Sequence, residues 1–351
     1  MAMNSLKERL FFLVSGEHPT LPAAEVKAIL EAEGLSYKPV AESPSLLTVE
    51  GPVEGLDAVS FRSLMTHACG IQIFEVNGDI AKILGEARST DFSRFVGSGE
   101  SFAVRVKRIA GELEHIKSDS LEREIGGTIL NQLKNVKVNL EKPDNVFLGV
   151  LHDGKFLLGL ATHMRPRGIA FSRRPRRRPF FHPATMPPKL ARCMVNLARS
   201  KRGEIFLDPF CGAGGLLIEA GIIGCKIAGS DIKPEMARGS LKNLRFYGVR
   251  ALGVAVADAR KPPFTRVDSI ATDPPYGRAA STFKATTADI LEDFLPAAYD
   301  MLSAGKYLCV ASPKSERAGE LGEKFGFRFI ESHHVYVHRS LTREIIVLKR
   351  K

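Results

Sequence analysis

The chain has 351 residues, 44% of them apolar and 25% charged, enough for two or three soluble domains. Its formal charge of +11 exceeds what an enzyme of small neutral metabolites needs and suits a protein that handles a polyanion. No apolar run approaches the ~18 residues of a membrane helix, and the cysteines at 69, 193, 211, 225 and 309 form no CxxC pair. That argues against a zinc ribbon or a disulfide framework, and for a reducing cytoplasm.

The apolar run near the N-terminus is too short for a secretory signal and is interrupted by an acid, so it predicts a first strand, Leu10–Val14. From Pro22 to Glu33, apolar residues recur among Glu and Lys. Proline in the first turn and Gly34 past the end predict a helix. Strand-like runs follow at Ser36–Val40 and Leu46–Val49, then a helix at Leu56–His67 and a closing strand at Ile71–Val76. This β-α-β-β-α-β order is ferredoxin-like and bounds a first unit at residues 1–78.

A second unit covers 79–165. Phe102–Val106 alternates like a strand, with Arg105, Lys107 and Arg108 on or beside its outer face. Ser118–Leu133 predicts a helix with Leu121, Ile125 and Ile129 on one face and Ser118 or Asp119 as N-cap. Gly126 and Gly127 inside it cost ~1 kcal/mol each against alanine; close approach of another backbone or of phosphate would explain them. Lys134 and Lys137 follow. Val146–Leu151 and Lys155–Leu160 pair across an Asp153-Gly154 turn. The basic residues suit RNA, with a merely solvated face as the alternative.

Residues 166–188 form a basic, proline-rich linker. Arg173, Arg174, Arg176, Arg177 and Arg178 crowd into six positions, and phosphate is their natural counterion. A linker without specificity is the alternative.

From residue 189 to 351, strands alternate with helices. Strands are expected at Glu204–Leu207, Lys226–Ser230, Leu252–Ala257, Ser269–Thr272 and Tyr307–Ala311, with two more runs near the end. This predicts a mostly parallel, doubly wound α/β sheet. Asp208, Asp231 and Asp258 close its first three strands. Asp208 opens a turn holding Cys211, Gly212 and Gly214, where a ligand can approach the backbone and a helix start offers unpaired N–H groups. Asp231 can hold two ribose hydroxyls, and Asp258 can accept from an adenine amino group. NAD fits a lone GxG equally well. However, the third glycine of the dinucleotide fingerprint is replaced by Leu217, and Asp208 would repel a pyrophosphate. S-adenosylmethionine, with a sulfonium and an amino group, tolerates that acid.

The fourth strand ends in Asp273-Pro274-Pro275-Tyr276. The prolines stop the ladder. The Asp273 carboxylate and the Pro274 carbonyl can accept the two hydrogens of an exocyclic amine, and Tyr276 can stack on its ring. A capped Pro-Pro turn is the plainer reading of these residues alone. In the doubly wound topology the first and fourth strands are neighbours, so amine acceptor and methyl donor would face each other. No acid or cysteine stands at ligand spacing from His333, His334 and His338, so no metal is expected.

These motifs carry a resemblance over nearly the whole chain. LEREIGGTI, KVNLEKPDNVFLGV and KFLLGLA resemble the THUMP domain, an RNA-binding module of tRNA-modifying enzymes. The preceding unit resembles the ferredoxin-like domain that accompanies it. DPFCGAGG, GSDI, ADAR and TDPPYGR, with FHPATMPPKLA before them, resemble the archaeal tRNA (guanine-10) N2-methyltransferases. The resemblance implies a Rossmann-like methyltransferase domain using S-adenosylmethionine, with a tRNA substrate held by its 3′ end. It implies a cofactor site at Thr185, Asp208, Cys211, Gly212, Gly214, Asp231, Ile232, Asp258 and Ala259, and catalysis at Asp273–Tyr276. A guanosine-6 methyltransferase, a DNA amino-methyltransferase and an inactive tRNA-binding protein are the alternatives. A small activating protein partner stays open.

Overall fold

The structure, a computed structural model, describes residues 7–109, 112–166, 168–275, 287–339 and 341–351. Its N-terminal elements are β1 (Lys7–Val14), α1 (Leu21–Ala32), β2 (Lys38–Ser43), β3 (Leu46–Pro52), α2 (Glu54–Arg62), β4 (Thr66–Asn77), α3 (Ile80–Ser89), β5 (Ser101–Arg108), α4 (Ser118–Gln132), β6 (Lys137–Val138), β7 (Asn145–His152) and β8 (Lys155–Met164). The strands make one sheet in the order β2-β3-β1-β4-β8-β7-β5-β6. The first four follow the ferredoxin-like arrangement. β4 then pairs antiparallel with β8, from Ala68 opposite Met164 to Asn77 opposite Lys155, so the two expected N-terminal units share a sheet.

The β7–β8 turn forms as its sequence demands. Asp153 and Gly154 both take positive φ, 43° and 71°, the pair that a two-residue hairpin turn requires. The core beneath this end of the sheet is aromatic, with Phe92, Phe102, Phe147 and Phe156 fully buried. Helix α3 has no counterpart among the sequence expectations. Asp79 caps it, accepting from the Lys82 amide at 2.9 Å. No other backbone closely approaches the glycine pair in α4: a Cβ at Gly127 would meet nothing within 4 Å, and one at Gly126 only Val104 Cγ2 at 3.9 Å.

The C-terminal elements are α5 (Pro188–Leu197), β9 (Ile205–Asp208), α6 (Gly215–Ile222), β10 (Lys226–Asp231), α7 (Pro234–Phe246), β11 (Ala251–Val256), β12 (Val267–Thr272), α8 (Thr287–Met301), β13 (Leu302–Pro313), α9 (Ala318–Lys324), β14 (Phe327–His338) and β15 (Leu341–Arg350). Their sheet order is β11-β10-β9-β12-β13-β15-β14. Strands from β11 to β13 run parallel, and β15 and β14 return antiparallel. The order reverses between β9 and β12, the topological switch point where such sheets bind ligands.

The chain divides into two compact units, and the second includes Thr20–Gly34 and Phe61–Met65 as well as everything from Arg167 onward. Helix α1 therefore belongs with the C-terminal sheet, where Leu21, Ala24 and Ala28 join a core containing Ala191, Val195 and Phe206. A buried polar network fastens it. Glu25 is fully buried and accepts from Ser63 Oγ at 2.6 Å and Asn196 Nδ2 at 2.9 Å. Arg62 donates to Ser200 O at 2.5 Å and to Asn196 Oδ1 at 3.1 Å. Removing one member would leave others buried and unsatisfied, so the network resists single losses poorly.

Candidate active site

Strand pairing brings the acidic ends together. β12 lies beside β9 with Ile270 opposite Leu207, so Thr272 and Asp273 emerge next to Asp208. Thr272 Oγ1 donates to Asp208 Oδ1 at 2.8 Å, and the Phe210 amide donates to the same oxygen at 3.2 Å. Asp208 is 1% exposed. Burial pushes its carboxyl up to about 8 against these two hydrogen bonds, and the nearby charges of Asp273 and Asp231 push the same way. A buried acid held near neutrality is the mark of a functional pocket.

The glycine turn is built on Asp231. Its carboxylate accepts from the Gly212 amide at 2.9 Å and from the Lys233 amide at 2.9 Å, and burial raises its pKa. Gly212 and Gly214 take φ of 49° and 79°, a region that favours glycine. A Cβ on Gly212 would meet nothing within 4 Å, so the turn faces open space, a cradle for a ligand. Cys211 is buried, with its amide bonded to Ser230 O at 2.8 Å. It braces the turn, and burial raises its thiol well above the ordinary range, which leaves it inert.

Beyond Asp231, Ile232 is 44% exposed, an apolar face suited to a flat base. Ala259 is buried. The Asp258 carboxylate is gripped by Arg260, with Nη2 at 2.6 Å and Nε at 3.0 Å, and this holds its pKa low. Sequence reasoning missed that partner, two positions along. Thr185 folds back on its own loop, its hydroxyl donating to His182 O at 2.7 Å, and its Cγ2 faces the start of α6 at Gly215. Pro274 is buried and Pro275 half-buried. Tyr276, expected to stack on the acceptor base, lies outside the described residues.

Arg343 was not among the expected site residues. It sits on β15 opposite Pro313, and its Nη2 stands 3.3 Å from Asp273 Oδ2. The antiparallel strands at the sheet's far edge thus send a cation back to the acid of the fourth strand. Only pairing between segments far apart in the chain creates this ion pair, and no local motif signals it.

The expected RNA-facing residues divide. Lys107, Lys134, Lys137, Arg174, Arg176 and Arg177 are exposed. Arg174 and Arg177 stack over Phe171, 4.5 Å and 4.1 Å from its ring centre. Arg105 is half-buried and donates to Leu140 O at 2.6 Å. Three of the expected RNA-binding arginines have their guanidinium groups engaged within the protein instead. Arg108 spends its guanidinium on the carbonyls of Glu112, Leu113 and Ile116. Arg173 pairs with the fully buried Glu219 at 2.8 Å. Arg178 is itself buried. An arginine run in sequence cannot show which members turn inward. Here the acid that turns them lies well downstream, in α6.

The fit to S-adenosylmethionine rests on donor chemistry. Buried acids suit a cation, the Asp231 carboxylate suits a diol, and the open glycine turn admits a ligand against the backbone. Among the described residues no three His, Cys, Asp or Glu side chains group as metal ligands, and no helix is long and apolar enough to cross a membrane.

This sheet order, with a glycine turn after the first strand and Asp-Pro-Pro after the fourth, defines the class of S-adenosylmethionine-dependent methyltransferases. An RMKL-like methyltransferase domain matches residues 175–345 and a THUMP domain matches residues 78–161. A tRNA (guanine(10)-N2)-dimethyltransferase of Methanothermobacter thermautotrophicus is 37% identical over 345 residues, covering 97% of this chain and 99% of its own. The chain belongs to that tRNA (guanine(10)-N2)-dimethyltransferase family. Among solved structures, TrmN from Thermus thermophilus superposes with a TM-score of 0.53 at 20% identity, covering 98% of this chain and 100% of its own. SMU.472, a putative methyltransferase complexed with SAH, gives 0.54 at 15% identity, each chain 99% covered. At such identities these two support the fold alone.

Proposed function

We propose that the protein transfers methyl groups from S-adenosylmethionine to the exocyclic N2 of guanosine 10 in tRNA, carrying it to N2,N2-dimethylguanosine. The observation that carries this reading is the convergence of Asp208, Asp231 and Asp273 at the switch point, in a chain whose relatives of equal length are named for that reaction.

Bound at the glycine turn, S-adenosylmethionine supplies a methyl group made electrophilic by its sulfonium. The chain's own residues prepare the acceptor. An aryl amine is a poor nucleophile because its lone pair is delocalised into the ring. Asp273 and the Pro274 carbonyl accept its two hydrogens, draw the nitrogen toward tetrahedral geometry and return electron density to it. Asp273 is placed to receive the proton released after transfer. For a second transfer one hydrogen remains, so a single acceptor suffices and the other leaves room for the first methyl group. Arg343, 3.3 Å from Asp273 Oδ2, orients the Asp273 carboxylate.

Substrate capture belongs to the N-terminal half, with residues 79–165 as the THUMP module, 1–78 its ferredoxin-like companion, and the exposed arginines of 166–188 meeting tRNA phosphate. Residues 189–351 carry the chemistry. The test is transfer of labelled methyl to a tRNA transcript and to the same transcript with adenosine at position 10. Label in the first and none in the second supports the reading, and equal label in both refutes it.

A further inference from the structure

The catalytic end of the C-terminal sheet has two flanks, and the cofactor needs only one. In the order β11-β10-β9-β12-β13-β15-β14, Asp208 and Asp231 close β9 and β10, and Asp258 follows β11. These acids place S-adenosylmethionine on that side of Asp273. The other side belongs to β13 and to the hairpin of β14 and β15. A molecule that meets the hairpin there is the acceptor, not the cofactor.

The hairpin reaches past its neighbour. Arg343 lies opposite Pro313, the last residue of β13. Leu341 and Thr342 extend beyond that point and carry His338 and Tyr336 with them as pairing partners. The overhang starts where Arg343 stands 3.3 Å from Asp273, so it borders the acceptor position. Side chains alternate along a strand. Arg343 shares a face with Ile345 and Val347, which pack with α6. Tyr336, opposite Thr342, turns to the face of Ile346 and Leu348, which pack with α8. The chain runs on into α8 after Asp273-Pro274-Pro275, so Tyr336 is on the side of the sheet to which the catalytic segment continues.

Tyr336 is 72% exposed, more than any other large apolar or aromatic side chain described. Exposed apolar side chains standing singly are ordinary. This one is set apart by its place. The pairing register shifts between Tyr336 and His338, a bulge of the kind that re-aims side chains beside active sites. Arg339 follows at the tip and is exposed. The acceptor chemistry says what such a pair meets. A guanine amine in a folded RNA reaches a carboxylate at a strand end only when its base leaves the stack. The neighbouring base then presents a bare face, which an aromatic ring can cover while a guanidinium meets the phosphate.

We propose that Tyr336 stacks on the nucleobase next to the methylated guanosine and that Arg339 pairs with its phosphate, which makes the β14–β15 hairpin the acceptor-side clamp of the site. The proposal rests on tRNA being the substrate.

The test uses the full chain and a tRNA transcript, with tRNA affinity read by fluorescence anisotropy and methyl transfer by steady-state kinetics. Tyr336→Ala should raise both Kd and KM for tRNA about 5- to 100-fold. It should leave kcat at saturating tRNA and calorimetric S-adenosylmethionine affinity unchanged. Tyr336→Phe should restore native values, because stacking needs the ring and not the hydroxyl. Arg339→Gln should reduce the log–log salt slope of tRNA binding by roughly 0.7–0.9, and Tyr336→Ala should not. Unchanged Kd and KM in Tyr336→Ala would overturn the proposal. So would a parallel loss of S-adenosylmethionine affinity, which would make the residue structural. A change of sedimentation in Tyr336→Ala without a change in tRNA affinity would assign the hairpin to contact between copies of the chain instead. The anisotropy needs no methyl transfer, so failure to modify position 10 would strike the proposed reaction and leave this test standing.

Discussion

Asp273 and Arg343 form a pair whose two halves should fail in the same way. Asp273→Ala removes a preorganised acceptor and is expected to lower turnover at least ~100-fold while calorimetric S-adenosylmethionine binding survives. Turnover above a tenth of native would remove Asp273 from the chemistry. Arg343→Ala leaves the acid in place but releases it, so kcat should fall about 10- to 100-fold with cofactor affinity unchanged, and Arg343→Lys should recover part of it. An unchanged kcat would confine Arg343 to sheet packing. Asp208 makes a prediction in pH. Its folded carboxyl is raised to about 8, far above the unfolded value near ~4. Between those values the folded protein holds a proton that the unfolded chain lacks, so this group's contribution to stability falls as pH rises through the window. A cationic cofactor prefers the ionised acid. S-adenosylmethionine affinity should therefore climb from about pH 6 to about pH 8 and level beyond, and Asp208→Asn should flatten that climb. A flat native profile would contradict the assignment. The acids themselves were legible in the sequence because each ends an apolar run. Their partners were not, because Thr272 reaches Asp208 through the pairing of β12 with β9, and Arg343 and Arg260 arrive through strand pairing and loop geometry.

The basic run is one stretch in sequence and two devices in the fold. Arg174, Arg176 and Arg177 face solvent, while Arg173 locks onto Glu219 at 2.8 Å and Arg178 turns inward. Changing the three exposed residues to glutamine should weaken tRNA binding and reduce the log–log salt slope by roughly 0.7–0.9 for each phosphate no longer neutralised. Cofactor affinity should stay constant and the nucleotide modified should not change. An unaltered slope would leave the exposed face without a role. Glu219 should behave as a structural acid. Glu219→Gln strips a buried carboxylate from Arg173 and Arg192 and should cost about 3–5 kcal/mol in urea denaturation. A loss under ~1 kcal/mol would mean that the cluster relaxes. Helix α1 was correctly legible from its periodicity and its bounding Pro22 and Gly34. Its membership of the second unit was not, because apolar spacing shows that a face is buried without showing against what. The Leu56–His67 expectation overran for a similar reason. The helix ends at Arg62, and the strand β4 claims the last two residues of the expectation, Thr66 and His67.

At the scale of the whole molecule, the doubly wound sheet was legible because alternating strands and helices have few topological solutions. The continuous N-terminal sheet was hidden, since the β4–β8 pairing joins segments far apart in the chain. The grouping of α1 with the C-terminal sheet also sets a limit on dissection. A fragment from Arg167 onward lacks Glu25, Arg62 and Ser63, and so strips Asn196 and Arg192 of hydrogen-bond partners in the buried network. It should melt well below the full chain, and a fragment as stable as the whole would show that α1 is dispensable. The central claim is that one site, with Asp273 as acceptor, modifies one tRNA nucleotide. Nucleoside mass spectrometry of a tRNA transcript, after incubation with labelled S-adenosylmethionine and either the native protein or Asp273→Ala, tests it most directly. The account predicts labelled N2,N2-dimethylguanosine mapped to position 10 with the native protein and none with the variant. Label on another base or position, or label that persists in Asp273→Ala, would contradict it.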